Sequence, residues 1–385
     1  MLYLPSVNTP TIEPIITDYA DGLLPSLRAF LHTSFPQSPL KSDPKYLRWR
    51  SVENPFTSAQ SAWLVAVREN QVCAQLSVSP DRIYVQGSWR EGVWLYDLFV
   101  AEENRGSLLA LQLVQRTMKR NEIVLVTGSA AHLKRFYTAL KWKHLEICQT
   151  LFWIRRPSRL LLMASDTGEQ SSRLRMASVV LKPADPIWAK VMEVRVKIAK
   201  RSGDSIDISE ATSAPEDLEE IVSAHCEAGT ITTARDPEYL KWKFEGRPVG
   251  KHILLSARQA GDRKLLGYLA LKLMKRSGGA TWTEVVDYLV YPEDTVAFPA
   301  LLQHAQRLAI ALNLDFMRCR CSLPAHIKSL AAAGWVNRTR PIIDDVFVYA
   351  KRPEIREALQ NAPWHLTAIV SDRSDYGKDE WADPS

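Results

Sequence analysis

The octapeptide Asp43-Pro44-Lys45-Tyr46-Leu47-Arg48-Trp49-Arg50 returns as Asp236-Pro237-Glu238-Tyr239-Leu240-Lys241-Trp242-Lys243, 193 residues further on. A single recurrence at so long a spacing predicts two duplicated domains, because solenoid repeats have periods of roughly 20–50 residues. The register persists beyond the octapeptide. Pro55 matches Pro248, Asp97 in WLYDLFV matches Asp287 in EVVDYLVY, and Gln115-Arg116 matches Gln306-Arg307. A chain of 385 residues also suits two domains of roughly 100–200 residues each.

The first copy is read as helices over 21–34 and 44–50, then a meander of strands at 62–68, 71–79, 82–89 and 93–100. A helix over 106–119, a short buried strand at 123–126, a helix over 130–140 and a last strand over 150–155 complete it. The fold class is therefore α+β, each copy a mixed, mostly antiparallel sheet flanked by helices. Expected boundaries are 1–156 for the first domain and 157–202 for a linker with a helix from Pro186 to Lys200. The second domain is expected over 203–352, and a polar C-terminal tail over 353–385.

Composition bounds the class. Apolar residues make up 46% and charged residues 24%, which are globular values. No apolar run reaches the roughly 20 residues that span a bilayer, and the start lacks a basic and apolar leader, so a cytoplasmic protein with no membrane partner is expected. Five scattered cysteines are not a disulfide framework. Cys319 and Cys321 lack a second pair nearby and read as buried strand residues, so no metal is expected. A formal charge of +6, with its cations dispersed, suits an anionic nucleotide-bearing ligand as well as it suits nucleic acid, and is too small to press the latter.

The segment Asp97 to Ala110 runs from an apolar strand through a polar turn into an apolar helix. Amides at a helix start are unpaired and the helix dipole is positive there, so a diphosphate can dock on them. Arg105 would add a charge-assisted contact, and Gly106 and Ser107 keep the turn small. This stretch resembles the cofactor motif [QR]-x-x-G-x-[GA] of the GNAT acyltransferases, with Val100 and Arg105 in the family's relation and Ala110 at its end. Leu108 stands on the middle glycine. The segment AHLKRFYTALKW resembles the family's N-x-x-A-x-x-x-Y-x-x-x-G-F helix, with Ala130 for asparagine, Lys141 for glycine and Trp142 for phenylalanine.

The resemblance implies a GNAT fold and acyl transfer from acetyl-CoA, or another acyl-CoA, to a primary amine on a small molecule or peptide. Leu98, Phe99, Val100, Arg105, Gly106, Ser107, Leu108, Leu109 and Ala110 would hold the cofactor. Tyr137 would be the general acid that protonates the leaving thiolate. Tyr96 takes the place of a glutamate that serves as base in small-amine enzymes, and is expected to line the acceptor route. Tyr46 and Trp49 are read either as core or as the border of the acceptor pocket. Asp97 is read as structural or helix-capping.

The second copy carries Glu293 and Asp294 at the equivalent turn, Pro299 near the helix start, and Leu330 or Ala331 in place of the tyrosine. It reads as a copy without chemistry. Two other functions compete: a non-catalytic scaffold built of two such domains, and a FemABX-like transferase that takes its acyl group from charged tRNA.

Overall fold

The computed structural model describes residues 13–36, 38–57, 63–127, 131–165, 171–199, 205–211, 213–248, 250, 252–276, 279–337 and 343–370. The first half contains β1 (Ile15–Asp18), α1 (Leu24–Ser34), α2 (Pro44–Ser51), β2 (Trp63–Arg68), β3 (Gln71–Val85), β4 (Ser88–Val100), α3 (Leu109–Arg120), β5 (Ile123–Thr127), α4 (Ala131–Ala139) and β6 (Lys143–Ile154). Three connecting helices follow, α5 (Pro157–Ser165), α6 (Ser171–Leu181) and α7 (Asp185–Ile198). The second half contains β7 (Ile206–Ala211), α8 (Glu219–Glu227), β8 (Thr232–Thr233), α9 (Pro237–Phe244), β9 (His252–Gln259), β10 (Leu265–Lys275), β11 (Thr281–Val290), α10 (Ala297–Ala311), β12 (Phe316–Cys321), α11 (Pro324–Ala332), β13 (Val336–Asn337), β14 (Ile343–Ala350) and α12 (Pro353–Asn361).

The repeated octapeptide forms α2 and α9. Asp43 caps α2, accepting from the amides of Lys45 (2.8 Å) and Tyr46 (3.2 Å), and Pro44 starts the helix where a missing N–H costs nothing. The two helices meet face to face. Trp49 and Trp242 stack with ring centroids 4.8 Å apart, and each indole N–H donates to the other's backbone carbonyl at 3.0 Å. These two tryptophans therefore sit about a local two-fold axis, in a core that also takes in Tyr46, Tyr96 and Tyr239.

All strands lie in one sheet, in the order β1-β2-β3-β4-β5-β14-β6-β12-β11-β10-β9-β7, with β8 against β3 and β13 against β6. The last long strands of the halves are exchanged. β14 pairs with β5, and β6 runs beside β14 through its first part and beside β12 through its second. The expected boundary at residue 156 therefore divides the sequence, while the sheet crosses it.

Several expectations about elements need correction: the last strand of the first half starts at Lys143 rather than near Thr150, and residues 157–202 carry three helices where one was expected. The strands expected at 71–79 and 82–89 are one strand, β3, turned back into β4 by Gln86 and Gly87 at φ 51 and 76, the left-handed pair of a two-residue hairpin. Pro80 falls in the gap left between those two expected strands. It lies where β2 has ended at Ser77 and β8 has yet to begin at Ile83, so that edge needs no amide from it. The region from 353 is no polar tail as far as residue 370. It forms α12 and then a segment, Trp364–Val370, that is buried between the halves. The segment expected to fray, 371–385, lies outside the described residues, as does Ala130.

Candidate functional site

β4 and β5 are parallel neighbours only from Gly92–Trp94 to Ile123–Leu125. Beyond Trp94, β4 stays on β3 while β5 keeps only β14, its partner along its whole length, so the two strands part and open a wedge between them. A β-bulge aims the wall of this wedge. Gln75 faces Phe99 and Ser77 faces Tyr96, which leaves Asp97 and Leu98 opposite Leu76 alone, and Asp97 takes a φ of 44°. Such bulges re-aim a strand next to functional sites.

Asp97 pins the bulge. Its carboxylate accepts from Lys41 and, at 3.0 Å, from Arg50 of α2, and its carbonyl accepts from the Gln75 side chain at 3.2 Å. Burial alone would raise its pKa; the Arg50 and Lys41 cations outweigh burial and hold it below the ordinary carboxylate value. It is thus a structural anion rather than a helix cap. Asp287 repeats the device with Arg235 at 3.0 Å, Tyr268 and Thr367. Lys41 went unnoticed in the sequence, and Arg50, which the sequence offered as a cation for an acidic acceptor, is instead held by Asp97.

By strand alternation Ala74 and Val100 form a pair that exchanges no ladder bonds, since Ala101 donates to Cys73 at 2.9 Å. The N–H of Val100 is therefore turned away from β3, toward the open wedge. Phe99 faces the other way, against Phe30 and Phe35 of the first helix region, and the Arg105 guanidinium lies 5.7 Å from its ring centre.

α3 begins at Leu109. Leu109 donates weakly to Ser107 Oγ at 3.4 Å, and the amides of Leu108, Ala110 and Leu111 have no partner among the described residues. Gly106 has a φ of 86° and open space where a side chain would project. Leu108 is 64% exposed, so its side chain is not packed into the protein. The arrangement suits an anion. In the second half the corresponding site is filled from within: Asp294 accepts from the amides of Ala297 (3.1 Å) and Phe298 (2.7 Å) at the start of α10. Pro299, in the same turn, has no N–H to give.

Tyr137 on α4 is 1% exposed and packs on Phe136, Trp142 and Phe347, the last from the exchanged strand β14. Burial raises the pKa of its phenol, so the hydroxyl stays protonated. Lys141 adopts the left-handed conformation of the glycine it replaces, at φ 61°. Trp142 donates to Tyr137 carbonyl and Lys141 to that of Thr138, a Schellman end. Gly334 and Trp335 repeat it with Leu330, so Leu330 is the residue in the tyrosine's place.

The acceptor side is more closed than expected. Tyr46 and Trp49 are buried between α2 and α9 instead of bordering a cleft. Tyr96 is buried, lies under the Arg50 guanidinium at 4.3 Å, and donates to the Val370 carbonyl at 2.9 Å. Nothing in the sequence marked residues 364–370 as part of this wall, because they lie outside the repeat. Cys319 and Cys321 are buried in β12, and among the described residues no cluster of His, Cys, Asp and Glu could hold a metal.

No protein-family model matches the sequence, and no curated protein matches it. Solved structures do resemble the fold. A GCN5-related N-acetyltransferase from Anabaena variabilis superposes with a TM-score of 0.54 at 12% identity, over 88% of this chain and 72% of its own. A conserved protein from Enterococcus faecalis gives 0.53 at 8% identity, over 88% and 72%. The N-myristoyltransferase of Saccharomyces cerevisiae gives 0.51 at 12% identity, over 90% and 82%. Together with the parted strands, the bulge and the helix start beside them, these likenesses identify the chain's architecture as the GNAT fold.

Proposed function

We propose that the chain is an acyl-CoA-dependent N-acyltransferase, most simply an acetyltransferase, whose chemistry runs in the first half. The observation that carries this is the contrast between the two helix starts. The first turn of α3 offers unpaired amides beside Arg105, whereas that of α10 is occupied by Asp294. The residues present suit a diphosphate: the amides around Leu108 to Leu111 and the Arg105 guanidinium would hold it, and Gly106 leaves room for it. Acyl-CoA, when bound, supplies the thioester. The Val100 amide, turned into the wedge, would polarise the acyl carbonyl. A neutral amine attacks that carbonyl, a C–N bond forms, the C–S bond breaks, and the Tyr137 hydroxyl gives its proton to the departing sulfur. The amine's own proton leaves through water, since Tyr96 stands where a carboxylate base would be.

The fold neighbours support acyl transfer as a class, and one of them was solved with myristoyl-CoA. The test is release of free thiol from acetyl-CoA, then from longer acyl-CoAs, with a panel of primary amines. Tyr137→Phe is expected to slow turnover by roughly 10²- to 10⁴-fold with acyl-CoA affinity unchanged. Turnover at the wild-type rate in that variant would remove Tyr137 from the mechanism. A second reading is favoured by the Tyr96 to Val370 bond, which fills the acceptor side with the chain's own segment: a domain pair that binds acyl-CoA without turnover. Absence of thiol release with every amine in the panel, alongside intact acyl-CoA binding, would select it.

A further inference from the structure

α7 carries two apolar faces. Successive helical residues turn by about 100°, so Asp185, Ala189, Met192 and Val196 share one face, and all four are buried. Ile187, Val191, Val194 and Ile198 share the opposite face, and all four are exposed, Ile187 at 71% and Ile198 at 76%. α6, beside it in the chain, adds exposed Met176, Val179 and Val180, the last at 72%. A folded chain does not ordinarily leave a helical stripe of four branched aliphatic side chains in water.

The charge around this surface is one-sided. Residues 171–199 hold six cations (Arg173, Arg175, Lys182, Lys190, Arg195, Lys197) and two acids, Asp185 and Glu193. Both acids are turned inward or already engaged. Asp185 is buried and accepts from the Ser158 amide at 3.1 Å, and Glu193 is paired with Arg155 at 3.0 Å and Lys190 at 3.5 Å. These 29 residues therefore carry a surplus of four positive charges where the entire chain has six. On the helical wheel Lys190 and Lys197 flank the outward stripe on one side and Arg195 on the other.

We propose that the outward face of α7, with the exposed apolar residues of α6 that precede it in the chain, is a docking face for an anionic lipid surface, lying in the headgroup region with its aliphatic stripe inserted and its cations against lipid phosphates. An apolar stripe bordered by Lys and Arg is the pattern that binds such surfaces in plane. A second copy of the chain fits less well, because a two-fold contact across this face would bring the same cations together. A single helical stripe of branched aliphatic side chains also lacks the groove that would read a peptide. Docking in plane requires no spanning segment, and no described helix is long and apolar enough to cross a membrane.

The test is flotation of the full chain with vesicles of phosphatidylglycerol and phosphatidylcholine, against phosphatidylcholine alone. The expected result is binding to the anionic vesicles that weakens as salt is added. Lys190→Ala with Lys197→Ala should weaken it by about fivefold per charge. Val191→Asp with Ile198→Asp should abolish it while leaving the thermal midpoint and the circular dichroism unchanged, since both side chains are exposed. Failure of the wild type to float with anionic vesicles, or unchanged flotation of the aspartate variant, would overturn the proposal. So would a wild-type dimer that the two aspartates make monomeric, which would assign the face to a second copy.

Discussion

Asp81 offers a test of how tightly the halves close on each other. It lies within β3, at the start of the stretch that β8 of the second half covers, with one carboxylate oxygen accepting from the Trp94 indole at 3.0 Å and the other from the Arg82 amide at 2.7 Å. Burial pushes its pKa up to about 7, against the opposing pull of Arg235 and Lys243 from the second half. An acid whose pKa is higher in the folded than in the unfolded state contributes most to stability below the unfolded value of roughly 3.9. That contribution is lost as the pH climbs toward 7 and stays lost above it. A rise of about three units corresponds to about 4 kcal/mol at 1.36 kcal/mol per unit. Asp81→Asn keeps an acceptor for Trp94 and cannot ionise. Urea denaturation should therefore find the variant more stable than wild type by up to about 4 kcal/mol at pH 8, with the gap closing toward pH 4. The buried His225, held at about 4 by burial, acts in the opposite sense, losing stability as the pH falls through 6.5. It titrates in both proteins, so the difference between them isolates Asp81. A difference that does not vary with pH, or a variant less stable at pH 8, would mean that Asp81 is hydrated and the halves are looser than the structure has them.

Trp49→Ala and Trp242→Ala should each cost about 3–5 kcal/mol. The double variant should cost less than their sum by about 1 kcal/mol or more, because either change removes the same stack and the same pair of indole bonds; strict additivity in a double-mutant cycle would deny the reciprocal contact. Lys141→Gly should raise stability by about 0.5–1 kcal/mol, since a left-handed backbone costs a side-chain-bearing residue roughly 1–2 kcal/mol and glycine's own entropy returns part of it. A lowered thermal midpoint would show that the Lys141 side chain contributes more than its backbone strain.

The order of elements was legible because the octapeptide and its downstream markers recur in register. The start of α3 was readable to within three residues, from the change of Asp97–Ala110 out of a strand pattern into a helical one. Which strand neighbours which was not. β6 and β14 show only that they are buried, and burial is the same whether the covering strand comes from one half or the other. The two strands expected at 71–79 and 82–89 are one because a proline, Pro80, is tolerated where a neighbouring strand has ended. At the site, the recurrence of Asp97 and Asp287 flagged a structural role, but the partners Lys41 and Arg50 depend on how α2 is set against the sheet. Tyr96 was read from the residue it replaces, and that reading could not include the Val370 carbonyl 274 residues away.

The proposed function requires one diphosphate site, at the head of α3, and none at the head of α10. Calorimetric titration of the purified chain with coenzyme A tests it most directly. One molecule is expected to bind per chain, with binding lost on Arg105→Glu and the number of high-affinity sites unaffected by Asp294→Ala. Two equivalent sites per chain, or full affinity in Arg105→Glu, would contradict it.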